Sequence, residues 1–542
     1  MGLGRLDSPS VPPEPVPPQP VPPESVPPEP VSQESVPPEP VSPEPVSPEP
    51  VSQEPVPPGE AKPLAADAPL LEAFVVATRR GGTPFSVPGH KHRARALDAD
   101  LGLAADSDIP LYGGLDAMKL TGGNLAKAEA LAARRWQADW CRFSVGGATQ
   151  ANQALLLAAG GDGDQIVMAR SVHRSVFSGL VLAGLRPVWL PPRADPASTL
   201  PLGPTPDQVA TALEAAPGAV AVWITEPSYL GTVADVGALA AVAHARGVPL
   251  LVDQAWGAHL GFHPGYPPHA LAAGADAMVI SAHKMLPAYS QAALVLAREG
   301  YLSPGRLETA FDATSTTSPA GAILASTDGA RALLAARGPQ LLERLADLVA
   351  GARRTLTEAC PGLAAPGPGD FPPGRFDPAK LVLGLAGAGA DGTVVEVEAQ
   401  AAGMALEMAD RDTIVATVTV ADTPATVGRL TDVLGRAIAA GSGPARPALA
   451  GVSWTLAPEP VTDPRTAFFS PWITVPADRA PGQISAELIA AYPPGVPILG
   501  PGELITADLV AALHRQAAEG SRIAYAADPG LRTFRVLASP PG

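Results

Sequence analysis

Cysteine is scarce in this chain of 542 residues, and its scarcity argues against two classes of protein. Only Cys141 and Cys360 are present, far apart in the sequence. A disulfide-stabilised scaffold needs several cysteine pairs, and a cysteine-rich metal site needs clustered ones. His90 and His92 also have no cysteine or acid partners at zinc-like spacing, so we expect no metal. Two isolated cysteines are typical of a reducing cytoplasm.

Long apolar runs and basic clusters are missing as well. No stretch reaches the roughly 18 uninterrupted apolar residues that a membrane-spanning helix needs, and the first residues show no signal-peptide pattern. The formal net charge is −16. Without a run of lysine or arginine, such a chain repels nucleic-acid phosphates. We therefore expect a cytoplasmic protein with neither a membrane nor a nucleic-acid partner.

Aromatic residues are absent from positions 11 to 60, where proline and glutamate recur with a period of five. Residues 1 to 60 carry ten acidic residues and a single basic one, Arg5. Proline fixes the backbone angle φ and removes a hydrogen-bond donor, so this segment favours an extended arm without a core. We predict that residues 1–62 are a disordered tail. A spacer is the favoured role, a ligand for SH3-type domains is the alternative, and the sequence does not identify a partner.

After the tail, apolar strands alternate with amphipathic helices from about residue 124 to residue 296. Continuous apolar strands separated by helices are typical of a mostly parallel sheet that is covered on both faces, which is an α/β fold. Beyond about residue 335, the pattern changes to helices and short alternating strands. We predict an N-terminal arm with active-site loops at 63–125, a large domain at 126–335 and a C-terminal α+β domain at 336–542.

Two polar residues follow buried strands within the large domain. The apolar strand 249–252 ends at Asp253, and the strand 277–280 is followed by Ser281, Ala282, His283 and Lys284. Ligands of parallel sheets bind at the carboxyl ends of strands, and a lysine beside a buried strand loses hydration, which favours its nucleophilic form. Pyridoxal 5′-phosphate (PLP) needs a lysine for its aldehyde and a carboxylate for its ring nitrogen. The pair predicts a PLP site, whereas the lysine motif alone is more often a solvated lysine at a strand end.

A glycine turn gives a second sign of a phosphate-bearing ligand. Gly146 and Gly147 stand between a strand and a helix that we expect at 152–159, and Ala148 and Thr149 follow them. Backbone N–H groups at a helix N-terminus attract phosphate, and the Thr149 hydroxyl adds a donor. Ordinary strand-to-helix turns have the same composition, so this signal is supporting only.

Several separate pieces of the chain resemble the fold-type I PLP-dependent ornithine/lysine/arginine decarboxylases, in a short form without an N-terminal wing domain. The similarity runs from about residue 84 to residue 503. The matching pieces are 85–91, 114–116, Thr149 with Asn152, 171–176, Asp253 with 255–259, 281–286, 317–319, 407–410, 492–497 and 501–503.

This resemblance implies a role for each matching site residue. Lys284 would form the internal aldimine, Asp253 would pair with the ring nitrogen, and His173 would stack on the ring. The three are the catalytic set, and the alternative for His173 is a helix cap. The full cofactor-binding set that the resemblance implies is Ala148, Thr149, His173, Asp253, Trp256, Ser281, His283, Lys284 and Ser318. In similar enzymes the segment around Ser318 reaches the neighbouring subunit, which implies a homodimer or a larger homo-oligomer.

The implied reaction converts lysine, ornithine or arginine into the corresponding amine and carbon dioxide, a step typical of polyamine biosynthesis. Glu503 or Asp312 would receive the cationic end of the substrate. The sequence departs from the family pattern at Gln254, Ala148, Pro110 with Leu111, and Ala117 with Met118. These departures leave the identity of the substrate open. The alternatives are an aminotransferase or related PLP lyase, in which Arg375 or Arg411 would hold the substrate carboxylate, and a catalytically degenerate PLP-binding homologue.

Overall fold

The computed structural model describes residues 64–80, 108, 123–448, 451, 455–492 and 495–539. The predicted tail, the motifs at 85–91 and 114–116, and the departures at positions 110, 111, 117 and 118 lie outside the described residues, as do His90 and His92. The described residues, from Leu64 onward, belong to one compact unit.

The strands carry labels in chain order. They are β1 (Trp140–Ser144), β2 (Gln165–Ala169), β3 (Arg186–Leu190), β4 (Arg193–Ala194), β5 (Pro201–Leu202), β6 (Ala219–Thr225), β7 (Leu250–Asp253), β8 (Ala277–Ser281), β9 (Ala293–Ala297), β10 (Lys380–Gly384), β11 (Met408–Ala409), β12 (Thr413–Thr417), β13 (Trp472–Pro476), β14 (Ile489–Tyr492), β15 (Val496–Leu499), β16 (Arg522–Ala524) and β17 (Thr533–Leu537).

The helices are labelled in the same way. They are α1 (Pro69–Arg80), α2 (Asn124–Arg135), α3 (Gly147–Ala159), α4 (Arg174–Ala183), α5 (Pro206–Ala215), α6 (Val236–Ala245), α7 (Ala282–Met285), α8 (Pro304–Thr314), α9 (Gly321–Ala359), α10 (Gly392–Ala401), α11 (Pro424–Ala440), α12 (Pro464–Phe469) and α13 (Ala507–Ala518). Short 3-10 helices cover Leu64–Asp67, Pro368–Asp370, Ala386–Ala388 and Ala477–Arg479.

Within the described residues, the largest sheet has seven strands in the order β1-β9-β8-β7-β6-β2-β3. Strands β8, β7, β6, β2 and β3 run parallel, and β9 is antiparallel to its neighbours β8 and β1. The prediction of a mostly parallel sheet is therefore confirmed. The parallel arrangement places the carboxyl ends of β7 and β8 side by side at one edge, which is where ligands of such sheets bind.

Both faces of this sheet are covered, as the continuous apolar strands predict. In β6, the side chains of Val222 and Ile224 enter one apolar core, and those of Ala221 and Trp223 enter another on the opposite face. All four residues are fully buried. A strand with two buried faces shows no apolar–polar alternation, because neither face meets water.

Local sequence explains where several helices begin. Thr205 caps α5 in a capping box with Gln208, and the Asp235 side chain accepts a hydrogen bond from the Ala238 N–H at the start of α6. The start predicted for α3 was too late, because this helix begins at Gly147. Ala148 and Thr149 consequently lie in its first turn.

The C-terminal portion contains smaller sheets and helices, in agreement with the expected α+β pattern. Strands β10, β12 and β11 form one antiparallel sheet, β15, β14 and β16 form another, and β13 pairs with β17. The 39-residue helix α9 crosses residue 335, so one continuous helix joins the two halves of the chain at the predicted border. The domain division itself stays a prediction.

Candidate active site

Asp253 is the last residue of β7, and its carboxylate is 2% exposed. Its Oδ2 atom accepts a hydrogen bond of 2.8 Å from Nδ2 of Asn152, and its Oδ1 atom accepts one of 3.0 Å from the Ala255 N–H. Burial raises the pKa of Asp253, while Lys284, Asn152 and Ala255 act in the opposite direction. Each oxygen keeps a further lone pair, so the carboxylate retains the capacity to accept from a protonated ring nitrogen.

Lys284 lies on the single helical turn α7, directly after β8. Its Nζ atom is 4.4 Å from the ring centroid of Trp256, which stands three positions after Asp253. Burial lowers the pKa of Lys284, and the nearby charges of Asp253 and Glu407 partly offset this effect. Asp253 and Lys284 each shift the pKa of the other. The structure therefore brings together the two residues on which the predicted chemistry depends.

His173 occupies the N-cap position of α4 and also belongs to this cluster. Its Nδ1 atom accepts from the Ser175 N–H at 3.2 Å and lies 2.9 Å from Ser175 Oγ. The Ser175 hydroxyl in turn accepts from Asn152 Nδ2 at 3.0 Å. Burial, followed by the charges of Lys284 and Arg174, lowers the pKa of His173 to about 4. The imidazole is consequently neutral near pH 7, and a hydrogen-bonded path connects it to Asp253.

The residues expected on the phosphate side converge on one short segment. Nδ1 of His283 lies 3.0 Å from the Ala292 carbonyl oxygen, and it must donate there because a carbonyl only accepts. Ser281 Oγ lies 3.3 Å from the same Nδ1. The Gly147 N–H donates to the carbonyl of Gln291, next to Ala292, which brings the start of α3 to this segment.

The first turn of α3 has backbone donors to spare. No acceptor in the described part of the chain takes the N–H of Ala148 or of Thr149. Two free N–H groups at a helix N-terminus, with the positive end of the helix dipole behind them, are suited to a phosphate. The side chain at position 148 is not needed for that contact, which makes alanine acceptable there.

Ser318 stands apart from the other candidates. It is exposed, and its hydroxyl lies 3.3 Å from Oγ1 of Thr316. Three residues before Ser318, the Ser315 hydroxyl accepts a hydrogen bond of 2.8 Å from Gln150 Nε2. This segment therefore lies beside the first turn of α3. Ser318 is thus accessible at the surface of the described part of the chain.

Gln254 has a physical reason to depart from the family pattern. Its side chain is 2% exposed, Nε2 donates to the Gly257 carbonyl at 2.8 Å, and Oε1 accepts from the Ala270 N–H at 2.6 Å. An ionised glutamate has no donor for the Gly257 carbonyl, whereas the amide satisfies both partners. This departure supports the loop that carries Trp256.

Glu503, a candidate for the cationic end of the substrate, has partners within the chain, and so does the buried His259. Oε2 of Glu503 lies 2.9 Å from Arg170 and accepts from the Gly500 N–H at 2.6 Å, so its carboxylate belongs to a buried ion pair. His259 is fully buried, and its Nε2 atom lies 3.0 Å from Oδ1 of Asp377. Asp312 is exposed on α8. Glu503 therefore gains no support as the contact for the cationic end of the substrate.

Sequence reasoning missed the roles of Asn152, Lys380 and Glu407. Asn152 lies one helical turn after Thr149, and that spacing is the signal that places both on the site face of α3. Lys380 Nζ lies 3.7 Å from the ring centroid of Trp256. Tyr229, whose ring packs edge-on against Trp256, donates from its hydroxyl to Oε1 of Glu407 at 3.0 Å. The sequence signal that could have pointed to Lys380 is its position as the first residue of the otherwise apolar strand β10.

A lysine just after one parallel strand and a buried carboxylate at the end of the next define the class of a fold-type I PLP-dependent enzyme. The residues fit the cofactor: a buried carboxylate for the ring nitrogen, a desolvated amine for the aldehyde and free N–H donors for the phosphate. Among the described residues there is no group of three or more histidine, cysteine or acidic side chains that would hold a metal. None of the described helices has the length and apolar character needed to cross a membrane.

Comparison with known proteins identifies the family. The family model of the Orn/Lys/Arg decarboxylase major domain matches residues 68–365, and that of the C-terminal domain matches residues 454–519. The chain belongs to the Orn/Lys/Arg decarboxylase family, and it is a PLP-dependent amino acid decarboxylase. It is 32% identical to an arginine decarboxylase of Halalkalibacterium halodurans, over 86% of this chain and 97% of the relative. It is 30% identical to an arginine decarboxylase of Bacillus subtilis, over 87% and 98%.

Solved structures agree on the fold. The Francisella novicida lysine decarboxylase LdcF superposes with a TM-score of 0.71 at 19% identity, covering 87% of this chain and 81% of that one. The constitutive lysine decarboxylase of Escherichia coli gives 0.70 at 20% identity, covering 87% and 82%. At these identities the likeness concerns the fold alone.

Proposed function

We propose that this protein decarboxylates a basic amino acid, with arginine as the first candidate, and that Lys284 is the amine that holds the cofactor. The observation that carries the proposal is the contact between Lys284 and Trp256 beside the buried carboxylate of Asp253. The arginine decarboxylases of H. halodurans and B. subtilis, which align over almost their whole lengths, favour arginine over lysine and ornithine.

Each residue contributes a separate part of the chemistry. Bound PLP supplies the electron sink that makes loss of the substrate carboxylate possible. Asp253, held by hydrogen bonds from Asn152 and Ala255, would pair with the ring nitrogen. The neutral His173 offers a flat face that Ser175 holds in position. Ala148, Thr149, Ser281, His283 and, from a neighbouring subunit, Ser318 would hold the phosphate. The Lys284 amine would hold the cofactor aldehyde, and it is suited to move a proton to the substrate carbon.

The structure weakens the aminotransferase alternative. Such an enzyme needs an arginine for the substrate carboxylate, and the candidates were Arg375 and Arg411. Arg375 forms an ion pair with Asp235 and donates to the Ala234 carbonyl, and Arg411 pairs with Asp412 and Glu519. Both guanidinium groups are therefore committed to partners within the chain.

The deciding experiment combines product analysis with identification of the lysine. We expect purified full-length protein with PLP to release carbon dioxide and the corresponding amine from arginine, and less from lysine and ornithine. Borohydride reduction followed by peptide mass spectrometry should place the cofactor on Lys284. K284A should lose both the turnover and the absorbance near about 420 nm that a lysine-bound cofactor gives. K127A, which changes an exposed lysine on α2, is the matched control.

Other outcomes would change the assignment. Keto-acid formation without carbon dioxide would establish an aminotransferase. Cofactor on Lys284 without any turnover would establish a degenerate binder. A K284A protein that keeps both absorbance and activity would show that the lysine is misassigned.

We also propose a homodimer as the smallest active unit, because Ser318 is exposed and the family resemblance implies that its segment reaches the phosphate of the neighbouring subunit. Mixing inactive K284A with S318A chains should restore part of the activity, since one site in each mixed dimer is then intact. If the mixture is no more active than its two components, Ser318 does not act across subunits.

A further inference from the structure

Glu407 has a carboxylate that is held in place and still has room to accept. Its Oε1 atom accepts a hydrogen bond of 3.0 Å from the Tyr229 hydroxyl, and its backbone N–H donates to the Val415 carbonyl at 3.1 Å. No lysine, arginine or histidine in the described part of the chain forms an ion pair with it. An ionised carboxylate accepts at both oxygens, so Oε2 remains available to a ligand.

The same carboxylate acts on the amine that would hold the cofactor. Burial lowers the pKa of Lys284, and the charges of Asp253 and Glu407 oppose that effect. Among the described residues, these two carboxylates are the ones that act on Lys284. Asp253 accepts from Asn152 and Ala255 and would pair with the ring nitrogen. Glu407 is therefore the carboxylate that is left for another ligand near Lys284.

A ligand can reach Lys284 and Glu407 along one aromatic wall. Lys284, Trp256 and Glu407 are all partly exposed. Lys284 Nζ lies 4.4 Å from the ring centroid of Trp256, and the centroid of the Tyr229 ring lies 5.2 Å from that of Trp256. Tyr229 then leads to Glu407 through its hydroxyl. The methylene groups of a long cationic side chain pack well on such a wall while the charged end stays at a polar group.

The space beside Glu407 favours a positive charge. Tyr229 and Met408, the residue after Glu407, line a cavity of about 810 Å³. The lining of this cavity contains six acidic residues and two arginines. A cavity with an excess of acidic groups attracts cations and repels anions. A positively charged side chain is thus the kind of ligand that suits this part of the molecule.

Lys380 is the alternative partner for Glu407 within the chain. It is 3% exposed, and its Nζ atom lies 3.7 Å from the ring centroid of Trp256. Burial lowers the pKa of Lys380 to about 8, and Asp377 opposes this effect more strongly than Glu407 does. Asp377 is therefore the principal counter-charge of Lys380, and the carboxylate of Glu407 is not used up by it.

We propose, on the basis of the proposed decarboxylation, that Glu407 is a specificity-determining residue that receives the positively charged end of the substrate side chain. Tyr229 holds the carboxylate in position, and the substrate side chain lies along Trp256 towards Lys284. A guanidinium group offers paired N–H donors that match the two oxygens of a carboxylate. A neutral side chain of the same length leaves Glu407 without a counter-charge, so the site selects for charge.

The test compares arginine with citrulline, which has the same chain length and a neutral urea group at its end. Full-length PLP-loaded protein is assayed for arginine turnover, with citrulline as a competing inhibitor. We expect Glu407→Gln, which keeps an acceptor for Tyr229, to raise KM for arginine roughly tenfold or more with little change in kcat. The inhibition constant of citrulline should change less than about threefold, because citrulline makes no charged contact.

Two further variants bracket this effect. Glu407→Asp keeps the charge on a shorter side chain, so we expect KM for arginine to lie between those of the wild type and E407Q. Glu398→Gln, at an exposed acid on α10, is the matched control and should behave as the wild type. An E407D protein that is as impaired as E407Q, with arginine and citrulline affected equally, would mean that Glu407 supports the site structurally, and it would overturn the proposal.

Binding measurements separate this proposal from the proposed function. Calorimetry gives the dissociation constants of arginine and citrulline without any turnover. A protein that releases no carbon dioxide, but whose E407Q variant loses affinity for arginine alone, would refute the decarboxylation and support the role of Glu407. A wild-type protein that decarboxylates arginine but binds citrulline equally well would do the reverse. Absence of binding of both ligands to the wild type would also overturn the role of Glu407.

Discussion

The Asn152 side chain donates to Oδ2 of Asp253 at 2.8 Å and so joins the second turn of α3 to the end of β7. Asn152 is fully buried, and the same Nδ2 group reaches Ser175 Oγ at 3.0 Å. One amide thus links the carboxylate expected at the cofactor nitrogen to the residue that orients His173. The candidate site is a connected network with Asn152 at its centre.

Replacing Asn152 by alanine should weaken cofactor binding. Burial already raises the pKa of Asp253, and loss of a donor to the carboxylate would raise it further and reduce the negative charge offered to the ring nitrogen. A hydrogen bond to a charged group contributes about 1.5–3 kcal/mol, so we expect a roughly 10- to 100-fold higher dissociation constant for PLP by equilibrium dialysis. N124A, on helix α2, is the control, and an N152A protein with wild-type affinity would contradict the assigned role.

His173 combines two functions that substitutions can separate. His173→Asn keeps a side-chain acceptor for the Ser175 N–H and removes the ring, whereas His173→Phe keeps a ring and removes the acceptor. We expect H173N to retain thermal stability and lose cofactor affinity, and H173F to lose about 1 kcal/mol of unfolding free energy while holding the cofactor better than H173N. Urea unfolding and dialysis measure the two effects. If H173N binds as tightly as the wild type, His173 is only a helix cap.

Glu226 should make the protein less stable as the pH rises. Burial raises its pKa to about 8, against the opposing effects of the Ala234 N–H and Arg375. The folded protein therefore keeps a proton that the unfolded chain has released above about pH 4.5, and unfolding releases that proton between about pH 5 and pH 8. The contribution of Glu226 to the free energy of unfolding is largest below about pH 5. It decreases between about pH 5 and pH 8, by at most about 1.4 kcal/mol per pH unit.

Glu226→Gln removes this proton release. The unfolding free energy of E226Q should fall less steeply than that of the wild type from about pH 5 to pH 8, as measured by urea denaturation at several pH values. Glu214→Gln, at an exposed acid on α5, is the matched control and should follow the wild-type curve. Parallel curves for E226Q and the wild type would mean that Glu226 is ionised in the folded protein.

Replacing only one partner of the Arg170–Glu503 ion pair should lower the free energy of unfolding strongly. Arg170 also donates to the carbonyls of Pro497 and Ile498, so the pair fastens the end of β2 to β15. Removing one partner leaves a buried charge, and we expect R170M to lose about 3–5 kcal/mol of unfolding free energy. The double variant R170M/E503Q should regain part of this loss. If the double variant is as unstable as the sum of the single ones, the two charges do not interact.

The sequence predicted the central sheet and the placement of Asp253 and Lys284, because both depend on local patterns. Strands with two buried faces read as apolar runs, and the residues that end adjacent parallel strands necessarily meet at one edge. The family resemblance supplied the remaining expectations for the site, and their roles stay proposals.

Lys380 and Glu407 were beyond the reach of such patterns. Both come from the C-terminal portion, and the contact with Trp256 exists only because the chain folds back over the edge of the large sheet. Spacing along the sequence carries no information about such a return. The helix start at Gly147 was missed for a different reason. Glycine has low helix propensity, and the hydrogen bond from the Gly147 N–H to the Gln291 carbonyl is a tertiary contact that local sequence does not reveal.

Lys380 lies on β10 and Glu407 lies just before β11, so both are synthesised after Lys284. A ribosome completes β7, β8 and Lys284 before it reaches these strands. The surroundings of the proposed cofactor lysine are therefore complete only after translation has passed β12.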